Sequence, residues 1–90
     1  VLSRFSVGAA GRTLDVRVLA VWVPEMEHKA WLLDIPELFD RPGNPYLGPD
    51  GADWWDNGER FAAFSRAVAE IAMNRVGLNW RADVVHANDW

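Results

Sequence analysis

The chain has 90 residues, which suffices for one small domain, and half of them are hydrophobic, as in globular rather than disordered proteins. Its formal net charge is −4 and its basic residues form no run, which argues against nucleic-acid binding and against attachment to an anionic membrane. It has no cysteine, hence no disulfide or thiolate metal site, and no apolar run near the ~20 residues of a transmembrane helix. Because the first residue is Val1 rather than Met, we expect a chain that has been cut or processed there.

The first third of the chain predicts strands. Residues 1–7 form a weak candidate, and residues 14–23 form the clearest one. Apolar and charged residues alternate in the first half of this strand, which predicts one polar face, whereas the continuously apolar run 18–23 predicts burial on both faces. A further strand is expected at 28–35, ending before Pro36, which cannot donate to a sheet.

A long helix is expected from about residue 56 to 76. Asp56 is a good N-cap, and Glu59, three residues later, completes the pattern of a capping box. An apolar face with helical spacing follows, formed by Phe61, Phe64, Val68 and Ile71. After the helix, residues 83–86 predict a last strand, so the element order indicates an α/β sheet.

Between the strands and the helix, residues 37–53 form a long loop rich in proline and glycine. Loops of this length within a small domain are uncommon and usually functional or mobile. Pro42-Gly43 predicts a turn, and Asn44 before Pro45 is restricted to an extended conformation, so Tyr46 is held on a stiff loop. Tyr46 either stacks on a sugar face or anchors the loop to the core.

Polar residues follow the predicted last strand. In open α/β sheets ligands bind outside the carboxyl ends of strands, which makes His86, Asn88, Asp89 and Trp90 a candidate site. A carboxylate there accepts hydrogen bonds from sugar hydroxyls and stabilises positive charge at an anomeric carbon. The alternative is that Asp89 caps a helix that follows.

The adjacent Trp54 and Trp55 cannot both face the core from one extended segment, so one is expected to pack locally and the other to be exposed. Asn57 and Arg60 lie where a helix N-terminus attracts anions, although Arg60 is expected to pair with a neighbouring acid instead. The sequence contains no glycine motif for phosphate, no nucleophilic serine motif and no metal-ligand spacing, so we expect no cofactor and no metal.

Three segments together resemble the bacterial glycogen synthases and plant starch synthases. These are residues 33–46, with the run Asp40-Arg41-Pro42-Gly43-Asn44-Pro45-Tyr46, the helix start at 56–67, and the ending His86-Ala87-Asn88-Asp89-Trp90. The resemblance is strong over residues 28–90 and loose over 1–27.

The resemblance implies a fold and an activity. The chain is expected to be a single incomplete domain, residues 1–90, from the Rossmann-like N-terminal half of a two-domain (GT-B) glycosyltransferase. That family transfers glucose from ADP-glucose to the non-reducing end of an α-1,4-glucan with retention and without a catalytic metal.

The family's site residues carry over by position. Asp89 matches the catalytic aspartate near the donor sugar, and Tyr46, His86 and Trp90 match substrate-binding positions. Asn88 also lies in this motif, where many bacterial members have His and plant members have Asn. The expected compartment is the bacterial cytoplasm, or the plastid for a plant protein.

Much of the family's pattern is missing from these residues, including its N-terminal Lys-Thr-Gly-Gly-Leu loop and the whole C-terminal domain. Because catalysis in such enzymes needs a cleft closed between two domains, the isolated chain is expected to be inactive and to require the remainder of the synthase. The alternatives are a stand-alone α-glucan-binding module without catalysis, and a remnant without function.

Overall fold

A computed structural model describes residues 1–9 and 11–87, in which an antiparallel sheet packs against one long helix. The strands, in spatial order β1-β2-β3, are β1 (Ser3–Ala9), β2 (Arg12–Val23) and β3 (His28–Asp34). A 3₁₀ turn at Pro24–Met26 joins β2 to β3, and two helices follow, the short α1 (Pro36–Phe39) and the long α2 (Asn57–Ala72). The expected α/β class, the strands near 14–23 and 28–35 and the long helix are therefore confirmed.

The register of the sheet brings its apolar side chains onto one face. Val7 pairs with Leu14 and Phe5 with Val16 across β1 and β2. Side chains two residues apart share a face, so Leu14, Val16 and the buried Val18 point toward α2. Leu14 and Val16, together with Val7, Ile35 and Leu38, form most of the core cluster.

The face that α2 presents to this core differs from the predicted one. Its buried residues are Arg60, Ala63, Ala67 and Ile71. The two alanines are small enough for a helix to pack against a sheet, and Ile71 is the one member of the predicted apolar face that is buried. The bulky phenylalanines and Val68 lie beside this face and line a groove instead.

Two expectations about the ends of elements were wrong. The second half of β2 is not buried on both faces, since Trp22 is 59% exposed. The reason is that α2 packs mainly against β1, at the other side of the sheet, and does not cover this part of β2. The helix ends at Ala72 rather than near 76, because Asn74 adopts a left-handed conformation with φ 59°.

The predicted strand at 83–86 is also absent from the part of the chain that the structure describes. The segment is irregular, and Val84 is 83% exposed. A strand is stabilised by hydrogen bonds to a neighbouring strand, whereas this segment returns along α2, with the Ala82 N–H donating to the Ala72 carbonyl (3.0 Å). Among the described residues, no helix is long and apolar enough to cross a membrane.

Candidate functional site

The sequence predicted a site from two segments, and the structure describes them unequally. Tyr46 and His86 lie within the described residues. Asn88, Asp89 and Trp90 lie outside them, so their predicted roles remain predictions. The geometry of the site is therefore that of the loop around Tyr46 and of the segment that ends at residue 87.

The loop around Tyr46 is folded by local hydrogen bonds. The Asn44 carboxamide oxygen accepts from the backbone N–H groups of Tyr46 (2.8 Å) and Leu47 (2.7 Å), which closes a tight turn. Gly43 precedes this turn with φ +119°, and a Cβ at that position would lie 2.6 Å from the Leu47 carbonyl oxygen. The structure therefore confirms the predicted turn, and these bonds support the prediction of a stiff loop.

Tyr46 projects from this loop at the surface. Its residue is 45% exposed, and its ring stacks on Phe61 with centroids 6.1 Å apart and planes 26° apart. An aromatic ring held in this way offers a flat face to a ligand at little cost in side-chain entropy. Tyr46 therefore anchors the loop through Phe61 while part of its surface stays accessible, and stacking of its ring on a sugar remains a prediction.

Arg60, on the first turns of α2, connects the loop to the core. It is only 2% exposed, and it donates to the carbonyls of Leu38 (3.0 Å) and Pro45 (3.1 Å) and to the Asn57 carboxamide oxygen (2.8 Å). The expectation that Arg60 pairs with an acid was therefore wrong, since neutral oxygens take these hydrogen bonds. Burial, together with the positive charge of Arg41, lowers the pKa of Arg60 from the ordinary value, yet an arginine remains charged at neutral pH.

The acid near Arg60 is bound by another arginine. Asp56 is 4% exposed, and both of its carboxylate oxygens accept from Arg41 at 2.7 Å. These hydrogen bonds, and the attraction of the guanidinium, lower the pKa of Asp56 and raise that of Arg41. The predicted capping box is absent, since Asp56 occupies the N-cap position of α2 but makes no side-chain capping bond.

Aromatic rings surround the two arginines. The Arg41 and Arg60 guanidinium carbons lie 5.2 and 5.4 Å from the Trp54 ring centroid, within the range of cation–π contact. Trp55, in contrast, is 84% exposed, which confirms that one tryptophan packs and its neighbour does not. We call Arg41, Asp56, Arg60 and Trp54 the arginine cluster. Every buried side-chain nitrogen and oxygen that the structure describes has a hydrogen-bond partner, so the buried polar atoms of the arginine cluster are all satisfied within the protein.

His86 lies at an apolar groove of about 850 Å³ beside α2. Phe61, Phe64 and Val68 line one side of it, and the segment 85–87 lines the other. Phe61 therefore contacts the Tyr46 ring and also lines the groove that His86 borders. Within the described residues, Phe61 thus lies between Tyr46 and the groove that His86 borders.

The sequence reasoning missed Arg41 and misassigned Asp56 and Arg60. One signal was available for its burial: Arg60 directly precedes Phe61 and is one turn from Phe64, on a helix with an apolar face. Its actual partners come from a loop of irregular structure, which no periodicity indicates. No group of three His, Cys, Asp or Glu side chains in the described ranges is arranged to hold a metal ion.

The sequence of this chain is similar to proteins of one known family. Residues 2–90 match the model of the family described as the starch synthase catalytic domain. The glycogen synthase of Hydrogenovibrio crunogenus is 61% identical over 89 residues, covering 99% of this chain and 18% of the relative. A glycogen synthase of Cellvibrio japonicus is 54% identical over 68 residues (76% and 14%), and glycogen synthase 1 of Methylococcus capsulatus 46% over 89 residues (99% and 17%). The chain thus spans less than a fifth of the length of these relatives.

Proposed function

This chain belongs to the family of starch synthase catalytic domains, and from that premise we propose that it forms part of a glycogen synthase. The activity is transfer of glucose from ADP-glucose to the non-reducing end of an α-1,4-glucan, with retention of configuration. The observation that carries this proposal is the family match over residues 2–90, which includes both segments of the predicted site. The proteins at 46–61% identity compared above are all glycogen synthases, which supports the same activity.

The site residues act in defined roles under this proposal. Asp89 stabilises the positive charge that develops at the anomeric carbon of the donor glucose, and His86, Asn88 and Trp90 surround the sugar. Tyr46 contributes a substrate contact from the loop, and its half-exposed ring on a stiff backbone supports that role. The transfer needs neither a cofactor nor a metal ion.

The isolated chain is inactive under this proposal. A closed cleft excludes water and aligns donor and acceptor, and one wall of a cleft cannot do so. The partners are ADP-glucose, the glucan and the remainder of the synthase. The relatives come from bacteria, which supports the cytoplasm as the compartment.

The test is a glucosyl-transfer assay on the full-length gene product and on the 90-residue chain. We expect turnover with ADP-glucose and glycogen for the former and none above blank for the latter. In the full-length protein, Asp89→Asn should lower kcat by at least about a hundredfold, the usual cost of removing a transition-state contact. Asp83→Asn, the same change at an exposed position of the same segment, is the control and should leave kcat unchanged.

Other outcomes would contradict the proposal. An intact mass of the gene product equal to that of these 90 residues, with glycogen binding and no response to ADP-glucose, would favour a stand-alone glucan-binding module. Turnover by the isolated chain would disprove the need for a second domain. Full activity of Asp89→Asn would remove this residue from the catalytic role.

A further inference from the structure

The backbone of Tyr46 is bound at each of its polar atoms. Its N–H donates to Asn44 Oδ1 (2.8 Å), and its carbonyl accepts from Asn57 Nδ2 (3.1 Å) and from the Trp54 N–H (3.3 Å). The carbonyl of Pro45, in the same peptide group as the Tyr46 N–H, accepts from Arg60 Nη1 (3.1 Å). The peptide groups on both sides of this residue are therefore fixed.

Two of these bonds come from the first turn of α2, and they are joined to each other. Arg60 Nη1 also donates to Asn57 Oδ1 (2.8 Å), so the Asn57 carboxamide accepts from the arginine with its oxygen and donates to Tyr46 with its nitrogen. Phe61, the stacking partner of the Tyr46 ring, is the next residue of the helix. The start of α2 thus provides two of the hydrogen bonds to the backbone around Tyr46 and also the contact with its ring.

We infer that Asn57 is a positioning residue that transmits the rigid placement of Arg60 to Tyr46 and so sets the angle at which the ring meets the substrate. The inference rests on the proposed function, in which Tyr46 contacts substrate. Arg60 is buried and held on several sides, so it is a fixed reference, whereas Tyr46 is half exposed and depends on its anchors. Arg60 also reaches this loop directly, at the Pro45 carbonyl, and Asn57 adds a second connection that ends on the Tyr46 carbonyl itself.

Asn57→Asp isolates this coupling from folding. The carboxylate keeps the acceptor for Arg60, and a negative charge in the first turn of a helix is favourable. The substitution removes one of the two donors to the Tyr46 carbonyl, leaving the Trp54 N–H, and places an acceptor against that carbonyl. Asn74→Asp is the matched control, because Asn74 lies beyond the other end of α2 and its Oδ1 accepts from the Trp80 N–H (3.0 Å), a bond that the carboxylate retains.

The experiment measures kcat, KM for ADP-glucose, KM for glycogen, and Tm in the full-length gene product. The variants are Asn57→Asp, Asn74→Asp, Tyr46→Ala and the double variant Asn57→Asp/Tyr46→Ala. We expect kcat/KM to fall about tenfold or more in Asn57→Asp, since misplacement of a contact by 1 Å costs up to about 10². Its Tm should be unchanged or raised, and Asn74→Asp should match the native protein in kcat/KM.

The double variant distinguishes positioning from structure. If Asn57 acts through Tyr46, Asn57→Asp has no further effect on kcat/KM once the ring is removed, whereas a structural loss persists in that background. Additive effects would therefore overturn the inference. Native kcat/KM in Asn57→Asp, with Tyr46→Ala impaired, would overturn it and leave the proposed function intact. Native kcat/KM in Tyr46→Ala would overturn both the inference and the proposed contact of Tyr46 with substrate.

Discussion

We expect that replacing Arg41 and replacing Asp56 will lower the free energy of unfolding by different amounts, although the two residues form one ion pair. The Asp56 side chain is 1% exposed and the Arg41 side chain 19%. Arg41→Met leaves a carboxylate buried without a partner, whereas Asp56→Asn leaves an arginine that can still reach solvent and the Glu37 carbonyl (3.3 Å). Arg41→Met should therefore be the more destabilising of the two substitutions.

The magnitudes follow from the burial of each group. Removing one partner of a buried ion pair costs about 3–5 kcal/mol, and Arg41→Met fits this class because Asp56 stays in the protein interior. Asp56→Asn retains an oxygen acceptor and loses only the charge, which places it near the ~1.5–3 kcal/mol of a hydrogen bond to a charged group. We expect the free energy of unfolding to differ between the two variants by at least about 1 kcal/mol.

Urea unfolding of the purified chain at pH 7, followed by the fluorescence of its six tryptophans, measures both values. A second series at lower pH tests the cause. In the native chain the pKa of Asp56 is lowered, so the stability from this pair is complete above the ordinary value near ~3.9 and is lost as the pH falls through the lowered pKa. In Arg41→Met the hydrogen bonds that lower the pKa of Asp56 most are lost, so this pKa rises relative to the native protein and the deficit in stability should shrink toward acid pH.

Equal destabilisation by the two substitutions at pH 7 would refute this reasoning, as would a deficit of Arg41→Met that stays constant down to pH 3. Either result would mean that the Asp56 carboxylate becomes solvated when its partner is removed.

Three further predictions concern the loop, the core and the acid limit. Gly43→Ala should lower the free energy of unfolding by at least ~1 kcal/mol, because its φ is +119° and the new Cβ would meet the Leu47 carbonyl. Gly58→Ala in α2 has open space around the new Cβ and should raise the free energy of unfolding by about 0.5–1 kcal/mol. Denaturant titration of both variants tests this. In the same assay, Leu38→Ala, at a fully buried position, should lower the free energy of unfolding by about 2–5 kcal/mol. Trp55→Ala, at an exposed position, should lower it by less than about 0.5 kcal/mol, and similar values for the two variants would contradict the described core. Below about pH 4, Asp56→Asn should lose less stability than the native chain as the pH falls. Parallel pH profiles would show that this carboxylate does not set the acid limit.

The alternation of apolar residues placed the first half of β2, since a period of two on a half-buried strand is a local property. The end of β3 was predicted from Pro36, which cannot donate to a sheet. The long helix was likewise predicted from its periodicity. Pro42, Gly43 and Asn44 indicated a stiff loop that presents Tyr46, because each restricts its own backbone. The match of three segments to one family also required no structure.

Tertiary structure alone decided which face of α2 is buried. Both the alanine face and the phenylalanine face have helical spacing, so the spacing alone does not distinguish them, and the alanines are the ones buried in the folded chain. The absence of a strand at 83–86 in the described residues was likewise not a local property, because a strand depends on a neighbour for its hydrogen bonds.

The arginine cluster could not be predicted for the same physical reason. Arg41 and Asp56 are 15 residues apart in the chain, and Arg60 donates to a carbonyl 22 residues away. Backbone carbonyls are available at every position, so no residue type marks the one that a buried guanidinium will bind. The sequence by itself determined that Tyr46 stands on a stiff loop, whereas the direction in which the loop holds it depends on contacts that form only when the chain is folded.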